Sequence, residues 1–198
     1  MANKILTKKF FRDNPCLKNT VQQFVYSYLL YDGIENVANE MIIKNGLLNN
    51  ERLEHIRQEN EHIKSEQNPE AIFQLFRKKI DAMNQVELIS KALAFDEVIF
   101  PMVIEKLLRS NHHIFIENSM RFLAKSQRNS SLLLQEKYFE IRSPYVQSLI
   151  CLIIGLRGEE DSISWMMDRF FEMKKLYPNE TYAEGSLIAL HELNCRFS

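Results

Sequence analysis

The sequence predicts an all-α fold, a stack of antiparallel helical hairpins, and three observations lead there. Residues that favour strands are few: Val and Thr together number ten in 198 residues, and there are five glycines, while Leu and Ile are abundant. Prolines sit directly after capping residues, at Asn14-Pro15, Asn68-Pro69 and Ser143-Pro144. That is the pattern of an N-cap followed by the first helical position, where the missing N–H of proline costs nothing. A pair of amphipathic helices also recurs along the second half of the chain.

Taken in order, apolar periodicity and caps predict helices near 15–31, 34–45, 50–66, 69–82, 84–94, 97–109, 112–125, 130–140, 144–156, 162–176 and 180–194. Asp32-Gly33 and Asn45-Gly46 lack alternating flanks and read as helix ends rather than hairpin turns. Pro178-Asn179-Glu180 predicts a helix start at 180. Pro101 fits two placements, opening a helix at Phe100 or lying in the first turn of one capped by Asp96. Short connections predict antiparallel neighbours. Residues 49–68 are the most polar stretch and the best candidate for a boundary.

The repeat appears when "FIENSMRFLA" (115–124), "YVQSLICLII" (145–154) and "YAEGSLIALH" (182–191) are aligned. An aromatic leads each copy: Phe115, Tyr145, Tyr182. An acid or amide stands two places on: Glu117, Gln147, Glu184. A small or polar residue follows it: Asn118, Ser148, Gly185. The copies lie 30 and 37 residues apart, and each follows another amphipathic helix. A helix pair repeating at this period is the mark of an α-solenoid. The segment "SPYVQSLICLIIGLRG" (143–158) resembles the second helix of a HEAT or armadillo-type unit, and the resemblance covers about 97–195. It departs where Glu117, Gln147 and Glu184 occupy positions at which Arg is common, and in its uneven spacing. The resemblance implies a right-handed α-α superhelix. On this reading residues 1–198 form one helical-repeat domain, with 15–94 as degenerate repeats or capping helices and 97–195 as HEAT-like repeats.

The run Leu149–Leu156 is too short for a membrane helix, which needs about 20 apolar residues, so it reads as a helix covered on most sides. Tyr145, Leu149, Leu152 and Leu156 form one stripe, Val146, Ile150 and Ile153 the next, and Gln147, Ser148, Cys151 and Gly155 a small or polar strip. Lys and Arg total 25 against 26 Asp and Glu. That balance disfavours dedicated nucleic-acid binding, which depends on an excess of cations. The basic start (Lys4, Lys8, Lys9, Arg12, Lys18) reads as a solvated end. Cys16, Cys151 and Cys195 are few and far apart, as expected of reduced thiols in a cytoplasmic protein. No secretory signal is visible.

Several patterns bear on chemistry. Glu51, His55, Glu59, His62 and Glu66 share one helical stripe and are all possible metal ligands. Di-iron bundles need Glu-x-x-His twice, and Glu59–His62 is a single copy, so the stripe reads as a solvated face. His112 reads as lying near a helix start and His191 near a helix end. Glu159-Glu160-Asp161 precede a helix and suit its dipole. Cys195-Arg196-Phe197-Ser198 fits C-a-a-X literally, but Arg196 is not aliphatic and no polybasic segment precedes it, so we read it as chance. On 162–176 the apolar stripe is Ile163, Met166, Met167, Phe170 and Tyr177. Trp165 lies on the other side with Asp168, Arg169 and Glu172, either as an interface anchor or packed on a neighbouring repeat.

The leading functional expectation is a non-enzymatic interaction module, an adaptor or neutralising binder for a protein partner, with no cofactor and no metal. Its expected binding face comprises Glu117, Asn118, Arg121, Gln147, Ser148, Glu184 and Trp165. One alternative is an enzyme on the same scaffold that excises alkylated DNA bases, with Trp165 and Asp168 at a basic groove. Another is a metal-dependent bundle centred on His55, Glu59 and His62.

Overall fold

The computed structural model describes residues 39–197. The expected helix 15–31, the Asp32-Gly33 helix end, the Asn14-Pro15 cap, Cys16, the basic start and Ser198 lie outside the described residues. Among the described residues every regular element is a helix and none is a strand. They fall into two compact units, 39–127 and 128–197.

The first unit opens with a helical segment at 39–44 that ends as its Asn45-Gly46 pair predicts. Gly46 has φ 62°, and the N–H groups of Gly46 and Leu47 donate to the carbonyls of Ile43 and Ile42. This crossed pair closes a helix end through one left-handed residue, a conformation glycine adopts without steric cost. Helix α1 (Asn50–Ser65) follows, then α2 (Pro69–Leu75), a 3-10 turn (Ala82–Asn84), α3 (Gln85–Leu93), α4 (Asp96–Leu107) and α5 (His113–Lys125). Asn49 caps α1 by accepting from the Arg52 N–H, and Asn68 caps α2 by accepting from Glu70 and Ala71, with Pro69 in the first turn. The polar stretch 49–68 is therefore mostly one helix inside this unit, burying Ile56 and Ile63.

Contacts run from each helix to the next but one, α1 to α3, α2 to α4 and α3 to α5, and between neighbours from α2 through α5. An aromatic cluster holds α2 to α5. Phe73 meets Phe115 edge-on at 5.7 Å and Phe76 meets Phe122 at 5.9 Å, geometries that suit the ring quadrupoles. Two expectations are corrected here. The helix expected over 69–82 ends at Leu75, and the chain turns before Asp81 caps the 3-10 turn. Pro101 neither opens a helix nor lies in a first turn: α4 starts at Asp96 with Phe95 as N-cap, and Pro101 is inside it. The ring removes one rung, to the carbonyl four residues back. Asp96 is not the cap; its carboxylate instead accepts from Ser126 Oγ at 2.8 and 3.0 Å, tying the start of α4 to the end of α5.

The second unit contains α6 (Ser131–Lys137), a 3-10 turn (Tyr138–Glu140), α7 (Pro144–Arg157), α8 (Ser162–Leu176) and α9 (Ala183–Phe197). Ser143 caps α7 by accepting from the Val146 N–H, with Pro144 at its start. Helix α9 packs along both α7 and α8. It starts at Ala183, not at 180, because Pro178 to Tyr182 form turns and bends. His191 is consequently mid-helix, one turn before Cys195, rather than at an end. The small strip of α7 is not its uncovered side. Ser148, Cys151 and Gly155 are buried, while Tyr145 is 43% exposed. A Cβ added at Gly185 of α9 would lie 2.5 Å from Ser148 Oγ and closer still to the Ser148 carbonyl. Small residues here mark the line along which two helix backbones approach. Among the described residues no helix is long and apolar enough to cross a membrane.

Candidate functional site

The expected binding residues divide between the two units. In the first unit the turn from Lys79 to Ala82 and helices α1 and α5 enclose an open cleft of about 720 Å³. Arg52, His55, Glu59, Lys79, Asp81, Glu117 and Arg121 line it. Two residues of the α1 stripe, His55 and Glu59, and two of the expected binding residues on α5, Glu117 and Arg121, thus meet at one place.

Two of the cleft's three carboxylates, Glu59 and Asp81, are structural. Glu59 Oε2 accepts from the Asp81 N–H at 2.9 Å and from Asn84 Nδ2 at 2.8 Å. Asp81 pairs with Arg52 and accepts from the Met83 N–H. Asn84 is 1% exposed and also donates to the Ile56 carbonyl, while its Oδ1 accepts from Asn60. Glu59 therefore anchors the 3-10 turn onto α1. Among the described residues no group of three or more His, Cys, Asp or Glu comes together as a metal site. Glu117 is exposed and lies 3.8 Å from Arg121, whose side chain is largely buried. Asn118 is buried and donates to the Phe76 carbonyl at 3.2 Å, which links α5 to the end of α2. His112 is the N-cap of α5, its Nδ1 accepting from the Phe115 N–H.

In the second unit Gln147 donates to the carbonyls of Tyr138 and Ile141 at 3.4 and 3.1 Å, satisfying the end of the 3-10 turn. Ser148 is enclosed against α9, and Glu184 is exposed in the first turn of α9. Trp165 is half-buried and packs edge-on against Tyr138, ring centroids 5.1 Å apart. Arg169, one turn further along α8, holds its guanidinium 4.7 Å from Phe139, 5.4 Å from Trp165 and 5.8 Å from Tyr138. Cation–π attraction on three rings fixes this side chain. Its Nη1 lies 2.8 Å from Glu172 Oε2, off a good hydrogen-bonding angle, so the contact is an ion pair without a directed bond.

Sequence reading placed Trp165, Arg169 and Glu172 on one face of α8. It missed Tyr138 and Phe139, because their approach depends on how α6 folds back. Tyr138 is almost fully buried beside Cys151, and burial pushes its hydroxyl well above the usual tyrosine range. The same burial pushes the Cys151 thiol up to about 12, leaving it neutral and unreactive at ordinary pH. Cys195 lies 3.5 Å from His191 Nδ1, but partial burial and the neighbouring Glu192 raise its thiol above the ordinary value. That is opposite to the shift an activated nucleophile needs.

Compared with family models, curated proteins and solved structures, the chain matches none.

Proposed function

We propose that the chain is a helical interaction module that binds a protein partner as an adaptor or neutralising binder in the cytoplasm, built as HEAT-like antiparallel hairpins of a right-handed superhelix. One observation carries the binding reading. Phe139 is 63% exposed, yet it is held in place by a buried-to-half-buried stack of Arg169, Trp165 and Tyr138. A large apolar side chain kept rigid at the surface loses little freedom on binding, the property shared by interface hot spots. The repeat reading draws support from the contacts of α1 with α3, α2 with α4, α3 with α5 and α7 with α9, the pattern of stacked hairpins.

The test is affinity capture from native lysate with and without nuclease, followed by reconstitution with the purified partner. A protein that survives nuclease and rebinds directly is the expected result. Weakening on charge reversal at Glu117 and Glu184 would assign those acids to the binding face. Recovery that disappears with nuclease would replace this reading with the nucleic-acid enzyme and make Trp165 and Asp168 the next residues to change.

A further inference from the structure

We propose that the partner presents a basic amphipathic segment, and that it docks on the face of the second unit formed by Leu132, Glu136 and Phe139 together with Asp168 of α8. The proposal rests on the interaction-module reading and adds the chemistry of the partner. Leu132 and Phe139 are 72% and 63% exposed. They are seven residues apart with exposed Glu136 between them, so all three share one outward stripe. Isolated exposed apolar residues are ordinary. These two are not isolated, because Phe139 continues into the Arg169–Trp165 stack and so joins the stripe to the polar face of α8.

Charge selects the occupant. Two cation–carboxylate pairs on this face are closed internally. Lys137 pairs with Glu140 at 2.7 Å and Arg169 pairs with Glu172 at 2.8 Å. Glu136 and Asp168 are exposed and form no ion pair among the described residues. Arg142, three residues beyond Phe139, is exposed and likewise forms no ion pair among the described residues, so the two acids outnumber it and the uncompensated charge of these described residues is negative by one. A segment with apolar side chains for Leu132 and Phe139, flanked by Lys or Arg for Glu136 and Asp168, is complementary in both respects, and an acidic segment is repelled. The aromatic set already holds one guanidinium, which shows the compatibility of this surface with cations.

Trp165 is the single tryptophan of the chain and lies beneath this face, so its fluorescence reports occupancy. The full chain is titrated with a tryptophan-free peptide of about five helical turns, leucine on one face and lysine on the other, and in parallel with its leucine–glutamate counterpart. The lysine peptide is expected to shift Trp165 emission and to bind more weakly as salt rises, while the glutamate peptide has no effect. Phe139→Ala and the pair Glu136→Lys with Asp168→Lys are each expected to weaken binding by about tenfold or more. All three positions are exposed, and unchanged circular dichroism confirms that the variants fold. Equal binding by the variants, equal binding of the two peptides, or no emission change each overturns the proposal. Self-association lost on Phe139→Ala overturns it too, by assigning the face to a second copy. A nuclease-resistant partner captured equally by wild type and Phe139→Ala leaves the interaction module standing and removes this face.

Discussion

At the scale of single residues, the chain's buried polar groups separate positions that hold the fold from positions that can act. Asn84 and Glu59 illustrate the first kind. Four hydrogen bonds converge on them, and Asn84→Ala removes three, those with Asn60, the Ile56 carbonyl and Glu59, while Glu59 keeps the Asp81 N–H. Leaving buried acceptors unsatisfied costs about 1–3 kcal/mol. We expect Asn84→Ala to lower the unfolding free energy by that much, read as a lower urea midpoint at unchanged slope, and no change in midpoint would show that water replaces the network. Cys151 makes a second prediction, with its sign set by burial. Its ordinary value is 9.0 and its folded value about 12. Below pH 9 both states are protonated and the contribution is fully present. As pH rises toward 12 the unfolded chain releases the proton and the native chain keeps it, so stability falls. Tyr138, raised for the same reason, adds in the same direction. Cys151→Ala should therefore show a flatter decline in unfolding midpoint above pH 9 than the wild type, and parallel profiles would count against the burial argument.

For helices, local signals were read correctly where the physics is local. Asn49, Asn68 and Ser143 make the capping bonds their positions imply, and Gly46 takes the left-handed conformation that ends a helix. Errors came where distant groups decide. Helix α2 stops at Leu75 although its sequence continues to suit a helix, and the turn that follows is fastened by Glu59, 22 residues away from Asp81. The sequence marks Ser148, Cys151 and Gly155 as a strip of small residues without saying what lies against it. In the structure it is where α9 comes close. Gly185 tests which effect governs that contact. Helix propensity alone predicts that Gly185→Ala stabilises by about 1 kcal/mol. Overpacking against the Ser148 backbone predicts a loss of about 1–3 kcal/mol or more, and since a backbone oxygen cannot rotate away, the second should win. Thermal unfolding decides it by sign alone, and a raised midpoint would mean that α7 and α9 can separate without cost.

For the molecule as a whole, the binding predictions follow from which candidate residues reach the surface. Of the seven expected contact residues, Glu117 and Glu184 are exposed, while Asn118 and Ser148 are spent on internal packing. Charge reversal at the two acids should consequently leave stability nearly unchanged, whereas Asn118→Ala should lower stability by about 1 kcal/mol, the typical net value of one hydrogen bond. Denaturation read beside partner affinity separates these outcomes. A stability loss from Glu117→Lys as large as that from Asn118→Ala would reverse the assignment.

What the sequence determined by itself was the helical class, most helix boundaries and the caps, because periodicity, proline position and capping residues act within one or two turns. It also placed Trp165, Asp168, Arg169 and Glu172 on a common face, for the same reason. Only the tertiary structure decided that Tyr138 and Phe139 complete the arginine stack, that His55 and Glu59 of the α1 stripe meet Glu117 and Arg121 at one cleft, and that small residues of α7 are buried. Those facts depend on contacts between segments far apart in the chain, and the hydrophobic effect that drives such contacts specifies how much area is buried without specifying which neighbour covers it.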